Sequence, residues 1–238
     1  MKLGRSVLSW VGVCVLGAVA LGGCQEVVHT TTLSLMLSTW VPEPGMFEGP
    51  GLEGAQLCQT DTTNCALSDG NGQVTIELPF DQEVSYTLEK DGFGSNVYPE
   101  VISSNGRSLR TGLNTEQSIE GVFERLDISF PMVGVGGIIL FLTTPFAGAT
   151  FDLVDATGTQ YYGDAEGNWS LDATATTMPN GWWGGFLEVP PGEHQIVLGG
   201  TAQGCVPELG WPGNVDNSIR FPVLEGHFTI VRMTCEVP

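Results

Sequence analysis

Positive charge is what this chain has least of. Only 8 lysines and arginines stand against 27 aspartates and glutamates, giving a formal net charge of -19. Beyond Lys2 and Arg5 the bases are Lys90, Arg107, Arg110, Arg125, Arg220 and Arg232, scattered along the sequence. A phosphate-binding groove needs clustered cations, so nucleic acid is not expected as a partner. The same scarcity argues against electrostatic adsorption to anionic lipid. The acidity serves solubility and self-repulsion, with diffuse attraction of divalent cations as the rival explanation. Histidine is sparser still: His29, His194 and His227 stand singly, and none belongs to an H-E-x-x-H or H-x-x-E pattern. A water-activating zinc site therefore has no evident ligands, and neither metal nor cofactor is expected. A G-x-S-x-G elbow and a cysteine–histidine constellation are also missing. Carboxylates are abundant, but a glycosidase pair needs a cleft to hold it, which leaves it a minor alternative. No catalytic residue is assigned, and the chain is read as a non-enzyme.

What the sequence does have begins at its N-terminus. Lys2 and Arg5 precede an uncharged stretch from Ser6 to Ala20, and Leu21-Gly22-Gly23-Cys24 follows. A positive start, a short apolar run and small residues at the end form the layout of a secretory signal. The run is too short to span comfortably, since a spanning helix needs about 20 predominantly apolar residues. Ending on cysteine, the segment resembles a bacterial lipoprotein signal. That resemblance implies that residues 1–23 are removed and that Cys24 becomes the lipid-bearing N-terminus of a membrane-attached protein. Gln25, in place of Asp, then points to the outer membrane of the cell envelope. The competing reading is an ordinary secretory signal cut near Ala18 or Ala20, which would leave Cys24 a free thiol.

With Cys14 in the signal and Cys24 acylated, four cysteines remain. Four allow three pairings, and position favours Cys58 with Cys65 and Cys205 with Cys235. An exported chain meets an oxidising compartment, where such bridges persist. Zinc is the rival, but no C-x-x-C pair exists.

Period-two alternation dominates the rest. Leu33, Leu35 and Leu37 form one alternating set, Val74, Ile76 and Leu78 a second, and Val84, Tyr86 and Leu88 a third. Each reads as a half-buried strand. Ser68-Asp69-Gly70-Asn71-Gly72 and Asp91-Gly92 supply turns, and Pro42 to Gly54 reads as a long loop. Asp69, Asn71 and Gly72 look superficially like part of a calcium loop, but the terminal bidentate Glu is missing, so a hairpin turn is expected. Asp164 with Asn168 is read in the same way. One helix is signalled after Asn114, read as its cap, with Gln117 three residues on and Ile119, Val122, Phe123 and Leu126 along one stripe. Beyond it, Gly137 to Leu142 reads as a strand buried on both faces. Further strands follow at Phe151–Val154, Gln160–Tyr162, Trp169–Leu171, Phe186–Val189, His194–Leu198, Ser218–Val223 and Phe228–Met233.

Leu52-Glu53-Gly54-Ala55-Gln56-Leu57-Cys58, Ser68-Asp69-Gly70-Asn71-Gly72-Gln73-Val74, Leu78-Pro79 and Lys90-Asp91-Gly92-Phe93 together resemble the carboxypeptidase regulatory-like domain. The resemblance covers about residues 50 to 104. It implies a small transthyretin-like (prealbumin-like) β-sandwich, related in fold to starch-binding-like modules. Gly148-Ala149-Thr150-Phe151, Val189-Pro190-Pro191-Gly192 and Gly210-Trp211-Pro212-Gly213-Asn214 resemble a more divergent copy. The expected fold is therefore all-β: two small sandwiches with one short connecting helix. The expected division is signal 1–23, tether 24–30, first sandwich 31–113, helical connector 114–135 and second sandwich 136–238.

The glycine-set tryptophans Trp182 and Trp183, and Trp211 in another Gly/Pro loop, are the candidate ligand-binding residues. Exposed rings could stack on the apolar face of a sugar or contact a protein partner, or they could fold back to cap the sandwich. The expected role is that of a membrane-anchored envelope protein with a structural or protein-interaction function. Carbohydrate binding through these tryptophans is the alternative, so the expected partners are the membrane, through the lipid, and an envelope protein or polysaccharide.

Overall fold

A computed structural model describes residues 28–40, 49–154 and 156–236. The signal segment, Cys24 and most of the Pro42–Gly54 loop lie outside these residues. Seventeen strands and one helix are found among the described residues. The first half contains β1 (Thr30–Thr39), β2 (Gln56–Gln59), β3 (Cys65–Leu67), β4 (Gln73–Pro79), β5 (Glu83–Glu89), β6 (Ser95–Val101) and β7 (Arg107–Leu113). Helix α1 (Glu116–Leu126) follows, then β8 (Gly136–Leu142), β9 (Ala149–Val154), β10 (Thr159–Gly163), β11 (Trp169–Ser170) and β12 (Trp183–Val189). The chain closes with β13 (Gly192–Gly200), β14 (Gln203–Leu209), β15 (Trp211–Pro212), β16 (Ser218–Val223) and β17 (His227–Glu236). The fold is all-β with one helix, and none of the helices among the described residues is long and apolar enough to cross a membrane.

Three sheets form the layers. A small sheet runs β4-β1-β7 and a second runs β15-β16-β13-β9. Between them extends a ten-stranded sheet, ordered β11-β10-β12-β8-β17-β6-β5-β2-β3 with β14 also paired to β17. Each small sheet packs on a different part of this central sheet and face. Leu33, Leu35, Leu37, Val74, Ile76 and Leu78 close on Leu57, Tyr86, Leu88 and Tyr98 to make the first core. Phe151, Ile196, Leu198, Ile219 and Phe221 close on Ile138, Leu140, Leu142, Val231 and Met233 to make the second. Both sandwiches therefore draw on one sheet, a continuity that the sequence did not disclose.

Strand β8 shows how the two cores meet. Its alternate residues Ile138, Leu140 and Leu142 enter the second core, while Ile139 belongs to the first and Phe141 packs against it. A strand covered on both faces reads as an unbroken apolar run, and Gly136–Leu142 does. Opposite it in β12, Gly185 pairs with Ile139. A Cβ on Gly185 would lie 1.9 Å from the Ile138 carbonyl oxygen and 3.1 Å from the Tyr161 hydroxyl, so only glycine fits there.

Helix α1 covers part of the first core with Ile119 and Phe123 buried and Val122 and Leu126 packed beside them. Its cap is Thr115 rather than Asn114: the Thr115 side chain accepts from the Ser118 N–H. The helix thus starts one residue later than the Asn114–Gln117 spacing suggested, because the Thr115 hydroxyl takes an orphan N–H of the first turn, that of Ser118. Strands β6, β7 and β14 had no clear sequence signal. Pro99 interrupts β6, Gly112 dilutes β7, and Gly204 and Pro207 break the period of β14. Pro99 is tolerated because β17 pairs β6 only over Ser95–Val97.

Disulfides join Cys58 to Cys65 and Cys205 to Cys235. Loop-closure entropy makes the second bridge, with a sequence separation of 30, worth about 4 kcal/mol and the first, with a separation of 7, about 2.5 kcal/mol. Cys205 and Cys235 are also buried in the second core. Replacing that pair by alanine should lower the urea midpoint clearly more than replacing Cys58 and Cys65, as equilibrium unfolding of the two double variants would measure.

Candidate functional site

The three candidate tryptophans divide between two places. Trp183 is the first residue of β12 and not part of a loop. Its flanking glycines hid the strand because they face side chains that leave no room for their own. A Cβ on Gly163 would meet the Trp183 indole nitrogen at 2.7 Å, so the ring lies flat across that glycine. The Trp183 N–H donates to the Asn180 carbonyl at 3.0 Å. Its ring packs edge-on to Trp169 at 5.4 Å and to Tyr161 at 6.0 Å, and tilted to Phe141. Trp169 stacks on the buried Tyr161 at 4.2 Å and meets Phe228 edge-on. The series continues through Phe228 and Phe123 to Phe130, which links the sheet to α1. Trp183 is thus half-buried in an aromatic wall of the first core. Trp182 joins only its margin, tilted against Phe141 at 5.9 Å.

Trp211 sits elsewhere, at the seam between the two sandwiches. It forms the short strand β15 on β16, and its indole N–H crosses to the Val84 carbonyl of β5 at 2.9 Å. The guanidinium of Arg220 lies 6.0 Å from the ring centroid, within cation–π range. Arg220 itself pairs with Glu83 of β5 and, at 2.6 Å, with Glu193 of β13. Beside Trp211 is a crevice of about 260 Å³ lined by Gln59, Thr60, Asp61, Pro79, Gln82, Glu83, Val84 and Ser85. Sequence reasoning found the tryptophan but not these lining residues, which come from the end of β2, the end of β4, the start of β5 and the β2–β3 and β4–β5 connections and converge only in the fold.

The seam carries further polar ties. His227 Nε2 meets Glu89 Oε1 at 3.0 Å, bridging β17 to β5. Arg107 pairs with Glu100 and donates to the Glu208 carbonyl of β14 at 3.2 Å. Glu100 is 1% exposed and also accepts from the Tyr86 hydroxyl at 3.2 Å, while Tyr86 stacks on Tyr98. Burial pushes the Glu100 carboxyl above the ordinary carboxylate range, opposed by the neighbouring Arg107. Such a buried pair is costly to break, because removing one partner strands the other.

The aspartate turns are stapled internally. Asp69 Oδ1 accepts from the backbone N–H groups of Asn71 and Gln73, both at 2.9 Å, and those bonds hold its carboxyl below the ordinary value. Asp164 Oδ1 accepts likewise from Glu166 and Asn168. Among the described residues no group of three His, Cys, Asp or Glu side chains is arranged to hold a metal.

No family model matches the chain, and no curated protein matches it. Among solved structures it is similar to a minor pilin of the gram-positive pathogen Streptococcus agalactiae, 13% identical, covering 87% of this chain and 96% of that one at a TM-score of 0.27. The shaft pilin SpaA of Lactobacillus rhamnosus GG is 10% identical, with coverage of 88% and 99% and a TM-score of 0.29. The Bacillus anthracis TIE protein is 12% identical at a TM-score of 0.26, with 87% of this chain covering 34% of that one. At these TM-scores the similarity carries no inference about role.

The Glu100 network yields a pH dependence. Its carboxyl has a raised value in the fold, so the folded state holds the proton more tightly than the unfolded chain. Its contribution is then fully present below the ordinary glutamate range and is lost as pH rises through the raised value. The stability difference between the wild type and Glu100→Gln should therefore favour the wild type most in acid and shrink toward neutral pH. Urea midpoints of both proteins across that range check it.

Proposed function

We propose that this chain is a non-enzymatic lipoprotein of the cell envelope, attached at the outer membrane through Cys24, with a structural or protein-interaction role. The reading takes its two units as carboxypeptidase regulatory-like sandwiches and includes no cofactor and no nucleic-acid partner. One observation carries it: the signal-like Leu21-Gly22-Gly23-Cys24 is followed almost at once by β1, the central strand of its sheet. Gln25–His29 can bridge at most about 20 Å of extended chain between an acyl group and Thr30. An anchor so close to a doubly paired strand would hold the whole body at the bilayer surface rather than tether it loosely. A short acyl tether suits a protein whose work is done by position. A polysaccharide partner is the second reading, favoured by the polar crevice beside Trp211.

Metabolic labelling with palmitate tests the anchor. The wild-type protein should incorporate label and partition with membranes. Cys24→Ser should lose both while keeping its disulfides and its thermal transition unchanged, because Cys24 precedes the first strand. A wild-type protein without label would remove the anchor from this reading.

A further inference from the structure

We infer that the crevice beside Trp211 is a binding subsite for one ring of a neutral glycan, and that Trp182 and Trp183 are not part of it. The inference deepens the interaction role proposed above by naming the partner's chemistry, and it rests on that role.

A sugar subsite needs an oriented aromatic face, nearby groups that both donate and accept, and walls that do not move. Trp211 supplies the first: its hydrogen bond to Val84 and the Arg220 guanidinium together fix the ring. The amide of Gln82 offers donors and an acceptor, that of Gln59 offers donors, and the carboxylate of Asp61 accepts, which matches the dual character of hydroxyl groups. The Gln59 oxygen accepts from the Asn64 side-chain amide at 3.2 Å, which leaves Gln59 its amide hydrogens as donors. Glu83 is already engaged by Arg220 and serves as wall rather than as reader.

The walls are fixed from behind. Thr60 is held by its N–H and its hydroxyl to the Ser85 carbonyl, at 3.0 and 2.5 Å. Asp81, next to Gln82, donates its N–H to the Ile102 carbonyl at 2.8 Å. Both Asp61 and Asp81 sit at positive φ, 58° and 55°, a conformation that aspartate tolerates better than bulkier residues. Two loops held in this way lose little freedom when a ligand arrives.

Size and charge set the ligand class. About 260 Å³ is below the ~300–1,000 Å³ of clefts that enclose drug-sized molecules, so the space suits a single ring. The lining carries Asp61 and Glu83, the one nearby cation is paired twice, and the chain is strongly acidic, so a carboxylated or phosphorylated sugar would be repelled. The aromatic wall around Trp183 offers a different setting: its ring packs among Tyr161, Trp169 and Phe141, and Trp182 lies tilted against Phe141 at 5.9 Å.

Saturation-transfer NMR on the full chain in a sugar-free detergent, with maltose, cellobiose, chitobiose and an acidic digalacturonate as probes, tests this. At least one neutral disaccharide should show transfer, and digalacturonate none. Gln82→Ala and Asp61→Asn should each weaken the signal at least tenfold, Trp211→Ala should abolish it, and Trp182→Ala should leave it unchanged. Because Trp211→Ala also cuts a seam contact, the two loop variants decide the case if it unfolds. Transfer from none of the neutral disaccharides, or transfer that survives the loop variants or is lost with Trp182→Ala, overturns the inference. Palmitate labelling reads the anchor separately, so a failed subsite and a failed envelope assignment give different results.

Discussion

The parallel pairing of β17 with β6 on one side and β8 on the other is the constraint on which the rest of the architecture depends. His227 to Thr229 pair with Ser95 to Val97, and Phe228 to Met233 pair with Gly137 to Leu142. Through that one strand, two sandwiches that would otherwise be separate become one sheet with two cores. Parallel pairing between segments so distant in sequence is non-local and requires both partners to be in place. Everything else at the seam follows from this alignment: it brings β5 within reach of Trp211, Arg220 and His227, and it brings Arg107 to the β14 carbonyl.

The polar ties at the seam also explain how a chain so poor in cations uses them. Arg107, Arg220 and Lys90 are all engaged intramolecularly, with Glu100, with Glu83 and Glu193, and with the Glu53 carbonyl. Arg125 donates to the Gly121 carbonyl within α1, and Arg110 lies against Met36. In a protein of net charge -19, a base placed between acids stabilises the fold where repulsion is greatest. That is a different use of positive charge from the display of a binding patch.

Much of the strand framework was legible because alternation reports one-sided burial. Leu33-Leu35-Leu37 and Val74-Ile76-Leu78 each place one face in a core, and the unbroken run of β8 correctly signals two covered faces. The cysteine pairs were legible from position, since each brackets a local loop or neighbouring late strands. What escaped is what depends on partners far away in sequence. Pro99 and Gly112 read as breakers until their neighbours are known. The glycines around Trp183 read as a loop because the sequence does not show that Tyr161 and Ile138 press on them. The crevice was invisible for the same reason: Asp61, Gln82 and Trp211 share no motif, and they meet only because the seam folds one sandwich against the other.

Strand β1 gives the chain a particular mechanical character. It runs antiparallel to β4 from Thr30↔Pro79 to Met36↔Gln73 and parallel to β7 from Leu33↔Arg107 to Thr39↔Leu113. A pull on the segment before Thr30 acts along these two ladders rather than across them. It must shear their hydrogen bonds together and cannot open them one at a time. The first strand is thus a rod clamped on both edges, and force entering there is shared between β4 and β7.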